Sequence, residues 1–373
     1  MTQATNPTPP GKLHGLDHLR AFAIFYVFLF HYFIISKGQP SWLPDWASFG
    51  WTGVDLFFVL SGFLIASQLF ARIKAGQGVS FKTFFLKRAF RIIPAFLVVV
   101  AIYFLIPFFR EKESLPPLWR FLAFTQNIGL NLQQFGTFSH AWSLCVEEHF
   151  YLFLPLLLIL LTSTGWFRKA GWLLLFVFIS GFIIRYLSFT QLYEPHSEDD
   201  NNWMYWYKYI YYPTWSRLDG LVAGVSIATL YQFRPALWAK LSKYGNVFIL
   251  LGLLLLTGAY FLCEDQSTLE ASVFGFPLVS LGYGFVVMGA VSPTSFLYKT
   301  SSRITSFIAT LSYAVYLSHK GVIHITHEWF RDLVPEPHLL LLLSMLTCII
   351  AAWLLHVIVE KPFMQWRYKI VKE

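Results

Sequence analysis

The chain has 373 residues, of which 56% are apolar, 19% aromatic and only 13% charged. Soluble domains carry about 25% charged residues, so this composition excludes an ordinary soluble enzyme. The formal charge of +8 sits in short loops between apolar runs, which is the positive-inside pattern of a membrane protein rather than a nucleic-acid-binding surface.

Ten apolar runs have the length that about 30 Å of hydrocarbon requires. In chain order they cover residues 16–36, 51–71, 92–109, 142–162, 170–189, 214–233, 246–263, 270–291, 304–327 and 338–359. The first is span-length with no small-residue cleavage site after it, so it reads as a span and not a removable signal. Segment 118–130 is too short to cross and reads as an interfacial or re-entrant piece. The loop after the second run carries Arg72, Lys74, Lys82, Lys87, Arg88 and Arg91 without an acid. Later loops on that side carry Arg168 and Lys169, then Arg234, Lys240 and Lys243, then Lys299 and Arg303, and finally Lys361, Arg367 and Lys369. The intervening loops are mixed or acidic, with Glu111 and Glu113, Glu194 to Asp200, Glu264 and Asp265, and Asp332 and Glu336. This alternation predicts an all-α polytopic transmembrane bundle of about ten spans with both termini cytoplasmic. With no repeat or linker, a single membrane domain is expected over 14–362, between cytoplasmic tails 1–13 and 363–373. Cys145, Cys263 and Cys348 lie far apart in apolar runs and define neither a metal site nor a disulfide framework.

Polar groups inside the apolar runs carry the functional signal, because an ionisable side chain in hydrocarbon is costly unless partnered. In LRAFAIFYVFLFH, Arg20 and His31 are eleven residues apart. That is close to three helical turns, about 16 Å, so both share one face, with Arg20 near the cytoplasm and His31 in the outer leaflet. Asp55 enters from outside in the second run, Glu147 and Glu148 in the fourth, and Arg217 and Asp219 in the sixth. These outer helix ends are expected to bring His31, Asp55, Glu147, Glu148, Arg217 and Asp219 to one level as a functional cluster. A carboxylate accepting one imidazole N–H would fix the tautomer and leave the other nitrogen as base for a substrate hydroxyl.

Tyr313, Tyr316 and His319 lie in the ninth run, where His319 falls mid-membrane and suits a satisfied bundle histidine as well as a site. His324 and His327 have the spacing of a metal pair but no carboxylate or cysteine beside them, so no metal is expected. Arg88 and Arg91 in KRAFRIIP share a helix face beside Lys87. Their planar forks suit a pyrophosphate or nucleotide phosphates, although lipid headgroups would suit such a pair too. A cytoplasmic phosphate anchor below a deep histidine fits acyl-coenzyme A, with phosphates at one end and a thioester at the other.

The segments GLDHLRAFAIFYVFLFHY, GWTGVDLFFVLSGFLI, FFLKRAFRIIP, HAWSLCVEEHFYLFLP, YPTWSRLDGLVAGV and SYAVYLSHK occur in this order. Together they resemble the acyltransferase 3 family of integral membrane O-acyltransferases, over about residues 14 to 362. The resemblance implies transfer of an acyl group, foremost acetyl from acetyl-CoA, to a hydroxyl of a carbohydrate or glycolipid such as O-antigen, exopolysaccharide or another surface glycan. It implies a multi-pass protein of a bacterial inner membrane. The family's arginine–histidine motif falls on Arg20 and His31, its RxxR motif on Arg88 and Arg91, and its WSL-x-VEE-x-FY element on Trp142 to Tyr151. His31, Asp55, Glu147 and Glu148 are expected to be catalytic; Arg20, Arg88 and Arg91 to bind the donor; Trp142, Ser143, Arg217, Asp219, Tyr316 and His319 to bind substrate. Some relatives add a periplasmic esterase-like domain; this chain ends shortly past the last run and is expected to act as a membrane domain alone. The alternative is a transporter or flippase of a glycan or lipid intermediate, against which no repeat and no corresponding broken spans are seen.

Overall fold

The computed structural model describes residues 13–371. The described residues form helices joined by turns and loops, with no strand. The principal helices are α1 (His14–Ile35), α2 (Gly53–Lys74), α3 (Phe81–Leu105), α4 (Trp142–Ser163), α5 (Ala170–Ser188), α6 (Asp219–Phe233), α7 (Gly245–Leu262), α8 (Phe276–Ala290), α9 (Arg303–Phe330), α10 (Pro337–Leu355) and α11 (Lys361–Ile370).

Eight helical stretches, built on α1 to α5, α7, α8 and α10, are long and apolar enough to cross a membrane. The other two expected spans depart for opposite reasons. α6 has 15 residues, about 22 Å of rise, which is short for a span. α9 has 28 residues but carries Arg303, His319, Lys320, His324, His327 and Glu328, which dilute its apolar character. Both are nonetheless internal: α6 packs along α2 and α8, and α9 along α1 and α10. The bundle is layered accordingly. In α8, 78% of the apolar stretch is buried in the protein, against 22% in the stretch of α5, so α8 is central and α5 faces lipid.

Small residues make the central contacts possible, as expected where lipid is as apolar as leucine and close backbone approach decides helix pairing. A Cβ at Gly62 of α2 would run into the Leu221 carbonyl of α6, and one at Gly224 would run into the Val59 carbonyl. The starts of α3, α9 and α10 follow capping chemistry. Ser80 accepts from the Thr83 N–H at 3.3 Å and Ser302 from the Thr305 N–H at 3.3 Å. Glu336 accepts from the Leu339 N–H at 2.8 Å ahead of Pro337.

The Ser80 cap moves one boundary. The third span was expected at 92–109, but α3 begins at Phe81, so Arg88 and Arg91 lie turns inside the helix. Its end falls earlier, at Leu105, because Pro107 biases Ile106 out of the helical region. The 118–130 segment holds only a short helix, Leu118–Leu122, and then turns. The expected C-terminal tail is α11, which lies on α3 with the Trp366 ring 5.7 Å from that of Phe90. The expected N-terminal tail lies, apart from Leu13, outside the described residues, as do residues 372 and 373.

Candidate active site

Three histidines from separate parts of the chain meet in one half of the bundle. His31 comes from α1, His319 from α9 and His140 from the 3-10 turn Ser139–Ala141 that leads into α4. The ring centres of His31 and His319 are 4.9 Å apart, those of His140 and His319 4.8 Å, and those of His31 and His140 5.8 Å. His319 Nδ1 is 2.8 Å from the Tyr316 carbonyl oxygen, and its Nε2 is 3.0 Å from His31 Nδ1. His31 Nδ1 is also 3.0 Å from the Val27 carbonyl oxygen.

These contacts assign the tautomers of a neutral pair. A carbonyl only accepts, so His319 Nδ1 carries the proton and its Nε2 offers a lone pair. His31 Nδ1 then donates, shared between that lone pair and the Val27 carbonyl. His31 Nε2 is left unprotonated, makes no hydrogen bond within the described residues, and belongs to a side chain lining a cavity of about 310 Å³. Neither ring nitrogen of buried His140 makes a well-formed hydrogen bond, the Leu317 backbone being a polar neighbour.

The structure thus replaces the expected carboxylate beside His31 with a second imidazole. Depth put the acids at one level, but the helix face on which each sits sends it elsewhere. Asp55 takes both its contacts from Arg217, at 2.8 and 2.9 Å, and Asp219 pairs with Arg185 at 2.6 Å. All four are buried. The Arg217 guanidinium is enclosed by Phe276, Tyr211 and Trp142, with its carbon 4.2, 4.5 and 5.0 Å from their ring centres. Arg217 and Asp219 therefore tie the neighbouring ends of α2, α5 and α6 together and line neither of the cavities that flank Tyr316. Removing one partner of such a pair leaves a buried charge uncompensated, at a cost of about 3–5 kcal/mol.

Glu147 faces a second cavity, of about 140 Å³, towards the other end of the bundle. It accepts from the Ser61 hydroxyl at 2.8 Å and from the Tyr151 hydroxyl at 3.3 Å. Glu148 lies within electrostatic range of Glu147 and Arg88. The same cavity gathers Arg20, Arg88 and Arg91, the three residues expected to hold the donor. Arg88 donates to Gln68 Oε1 at 3.2 Å and lies 5.7 Å from the Tyr151 ring centre.

Val54 and Tyr316 line both cavities and so stand between them. The Tyr316 hydroxyl donates to the His140 carbonyl at 2.7 Å and accepts from Ser143. Trp142 walls the histidine cavity, while Ser143 lines the arginine one.

Three site residues escape the sequence reading: His140, Lys320 and Glu111. Lys320 follows His319 directly, pairs with Glu111 at 2.9 Å and donates to Ser139 at 3.2 Å. Burial acts to raise the Glu111 carboxyl, but the Lys320 ammonium and the Phe138 N–H outweigh it and hold its pKa below the usual range. His140 and Lys320 sit inside motifs already singled out, HAWSL and SHK. Glu111 lies in a mixed-charge loop and gives no signal of its own. Among the described residues no three or more His, Cys, Asp or Glu side chains are arranged to hold a metal ion, the histidine trio included.

A family model described as an acyltransferase domain matches residues 13–357. The chain belongs to this acyltransferase family. O-acetyltransferase OatA of Staphylococcus aureus (strain NCTC 8325 / PS 47) is 27% identical over 338 residues, covering 86% of this chain and 52% of that protein. A Staphylococcus aureus (strain COL) protein provisionally named an O-acetyltransferase is 27% identical over 369 residues, covering 94% of this chain and 57% of its own length. The acyltransferase chain thus spans little more than half the length of these relatives. No solved structure matches it.

Proposed function

We propose that this acyltransferase takes an acetyl group from acetyl-CoA in its arginine cavity, the inner one, and places it on a carbohydrate hydroxyl in its histidine cavity, the outer one. The observation that carries this reading is the free His31 Nε2 at the wall of the outer cavity, its tautomer fixed by His319. Ten helices cross a bacterial inner membrane in this reading, α6 and α9 included, with both termini cytoplasmic. Arg20, Arg88 and Arg91 then face the cytoplasm and hold the donor's phosphates. The pantetheine arm reaches past Tyr316 to His31, about 16 Å along α1. The names of the relatives support acetyl as the group and a hydroxyl as its destination.

In the transfer step His31 Nε2 takes the acceptor hydroxyl's proton while the oxygen bonds to the thioester carbonyl carbon. The C–S bond then breaks, and the coenzyme A thiolate takes the proton back from His31, giving the ester and the free thiol. His140, the neighbouring imidazole, presents a ring N–H to the carbonyl oxygen as charge develops there. Asp55 and Asp219 keep the outer helix ends in register through their arginines. The aromatic walls of the outer cavity suit the C–H faces of a sugar ring, and its Lys112 and Lys320 supply donors to hydroxyls.

Mass spectrometry of surface glycan from cells with and without the gene tests this reading. An O-acetyl group present only when the gene is present is expected. Identical O-acyl content in both would remove the proposed activity, and altered glycan export at constant O-acyl content would favour a flippase.

A further inference from the structure

Next to the His31 cavity the outer face carries a larger one, of about 440 Å³, for which acyl transfer itself has no use. Trp51, Trp203 and Tyr207 line both, so the two are compartments of one groove with shared walls. The far compartment adds the rings of Trp206 and Tyr260, the amides of Asn202 and Gln266, and the carboxylates of Glu264 and Asp265. Asp265 spends one oxygen on the Ser267 N–H, at 2.9 Å, and on the Ser267 hydroxyl. The exposed Glu264 carboxylate makes no hydrogen bond or ion pair with the described residues.

This mixture discriminates among ligands. A lipid chain would strand the carboxylates and amides against hydrocarbon. A phosphate or uronic acid would meet two negative charges with no cation in the wall. A neutral or amino-bearing sugar uses every part, with C–H faces on the rings and hydroxyl or ammonium protons on the carboxylates and amides. We infer that this compartment is a second acceptor subsite, holding the sugar unit next to the one that His31 acylates, and that the acceptor is a chain of at least two sugars without an acid in that unit. The inference rests on the proposed transfer to carbohydrate.

The test uses oligosaccharides of increasing length, cut from the surface glycan of cells lacking the gene, with radiolabelled acetyl-CoA and the full-length protein in nanodiscs. The wild-type kcat/KM should rise about tenfold from one sugar to two or three. Tyr260→Ala and Glu264→Gln, which touch only the far compartment, should each lower kcat/KM for the longer fragments by about threefold to tenfold more than for the single sugar, the scale of one aromatic contact or of exchanging a charged hydrogen-bond acceptor for a neutral one. Equal rates at all lengths, or variants that keep the wild-type length dependence, would overturn the second subsite while leaving acyl transfer standing. Transfer to none of the fragments by wild-type protein would remove the glycan reading and the subsite with it.

Discussion

His31→Ala should lower acyl transfer by about 10²–10⁴-fold, the usual contribution of a general base, while leaving folded protein in the membrane. The side chain is only half-buried, and its ring contacts are local: the Val27 carbonyl one turn earlier on α1 and the facing His319. Its loss removes the base without opening the core around Leu56 or Val59. His319→Gln gives the complementary result. Glutamine can still pair with His31, but its amide can also donate to Nδ1, which favours the tautomer with the proton on Nε2. A partial loss is therefore expected, expressed in kcat more than in the donor KM, whereas His319→Ala frees the ring to turn as well. Radiolabel transfer by purified variants, beside their thermal unfolding, measures both. Near-wild-type transfer by His31→Ala would remove the base assignment.

Alanine at Arg88 or Arg91 should raise the acetyl-CoA concentration needed, with the double variant weakest. Hydrogen bonds to a charged group contribute roughly 1.5–3 kcal/mol each, which corresponds to about tenfold to hundredfold in donor affinity. The two guanidinium groups line one cavity with Arg20 and Glu147, so each substitution acts on a shared cationic pocket. Lysine substitutions should rescue only in part, because an ammonium cannot make the forked contact. Acceptor KM should hardly move, since the acceptor cavity lies beyond Tyr316. Calorimetric titration with coenzyme A reads the effect without chemistry. Unchanged binding in the double alanine variant would return both arginines to membrane anchoring.

Much of this arrangement is legible in the sequence, and the unread part has a physical cause. The first, fourth and fifth spans fall within about two residues of α1, α4 and α5, because an unbroken apolar run in water-free surroundings can only be a helix. The start of α3 escapes, since its first three turns carry Lys82, Lys87, Arg88 and Arg91 and read as loop. α6 and α9 are the reverse case: their apolar runs read as spans, but α6 is only 15 residues long and α9 carries polar groups that face neighbouring helices. At the site, the arginine–histidine register and the RxxR pair foretell the inner cavity, with Arg20, Arg88 and Arg91 on one wall. Depth alone also brings Asp55 and Asp219 level with His31, but it carries no angle around the helix axis. Arg217 and Arg185 claim those acids instead. His140 goes unread because it lies in a turn before α4, where no periodicity places it; its approach to His319 is a matter of tertiary packing.

The central claim is that donor and acceptor meet at His31 from opposite faces of the membrane. Proteoliposomes with the protein in one orientation, acetyl-CoA sealed on the side of Arg88 and Arg91, and surface-glycan oligosaccharide added only on the side of His140 test it most directly. O-acetylated oligosaccharide should accumulate outside while free coenzyme A accumulates inside in equal amount, and His31→Ala vesicles should produce neither. Acetylation only when both substrates are supplied on the same side, or equal product from His31→Ala vesicles, would contradict the account.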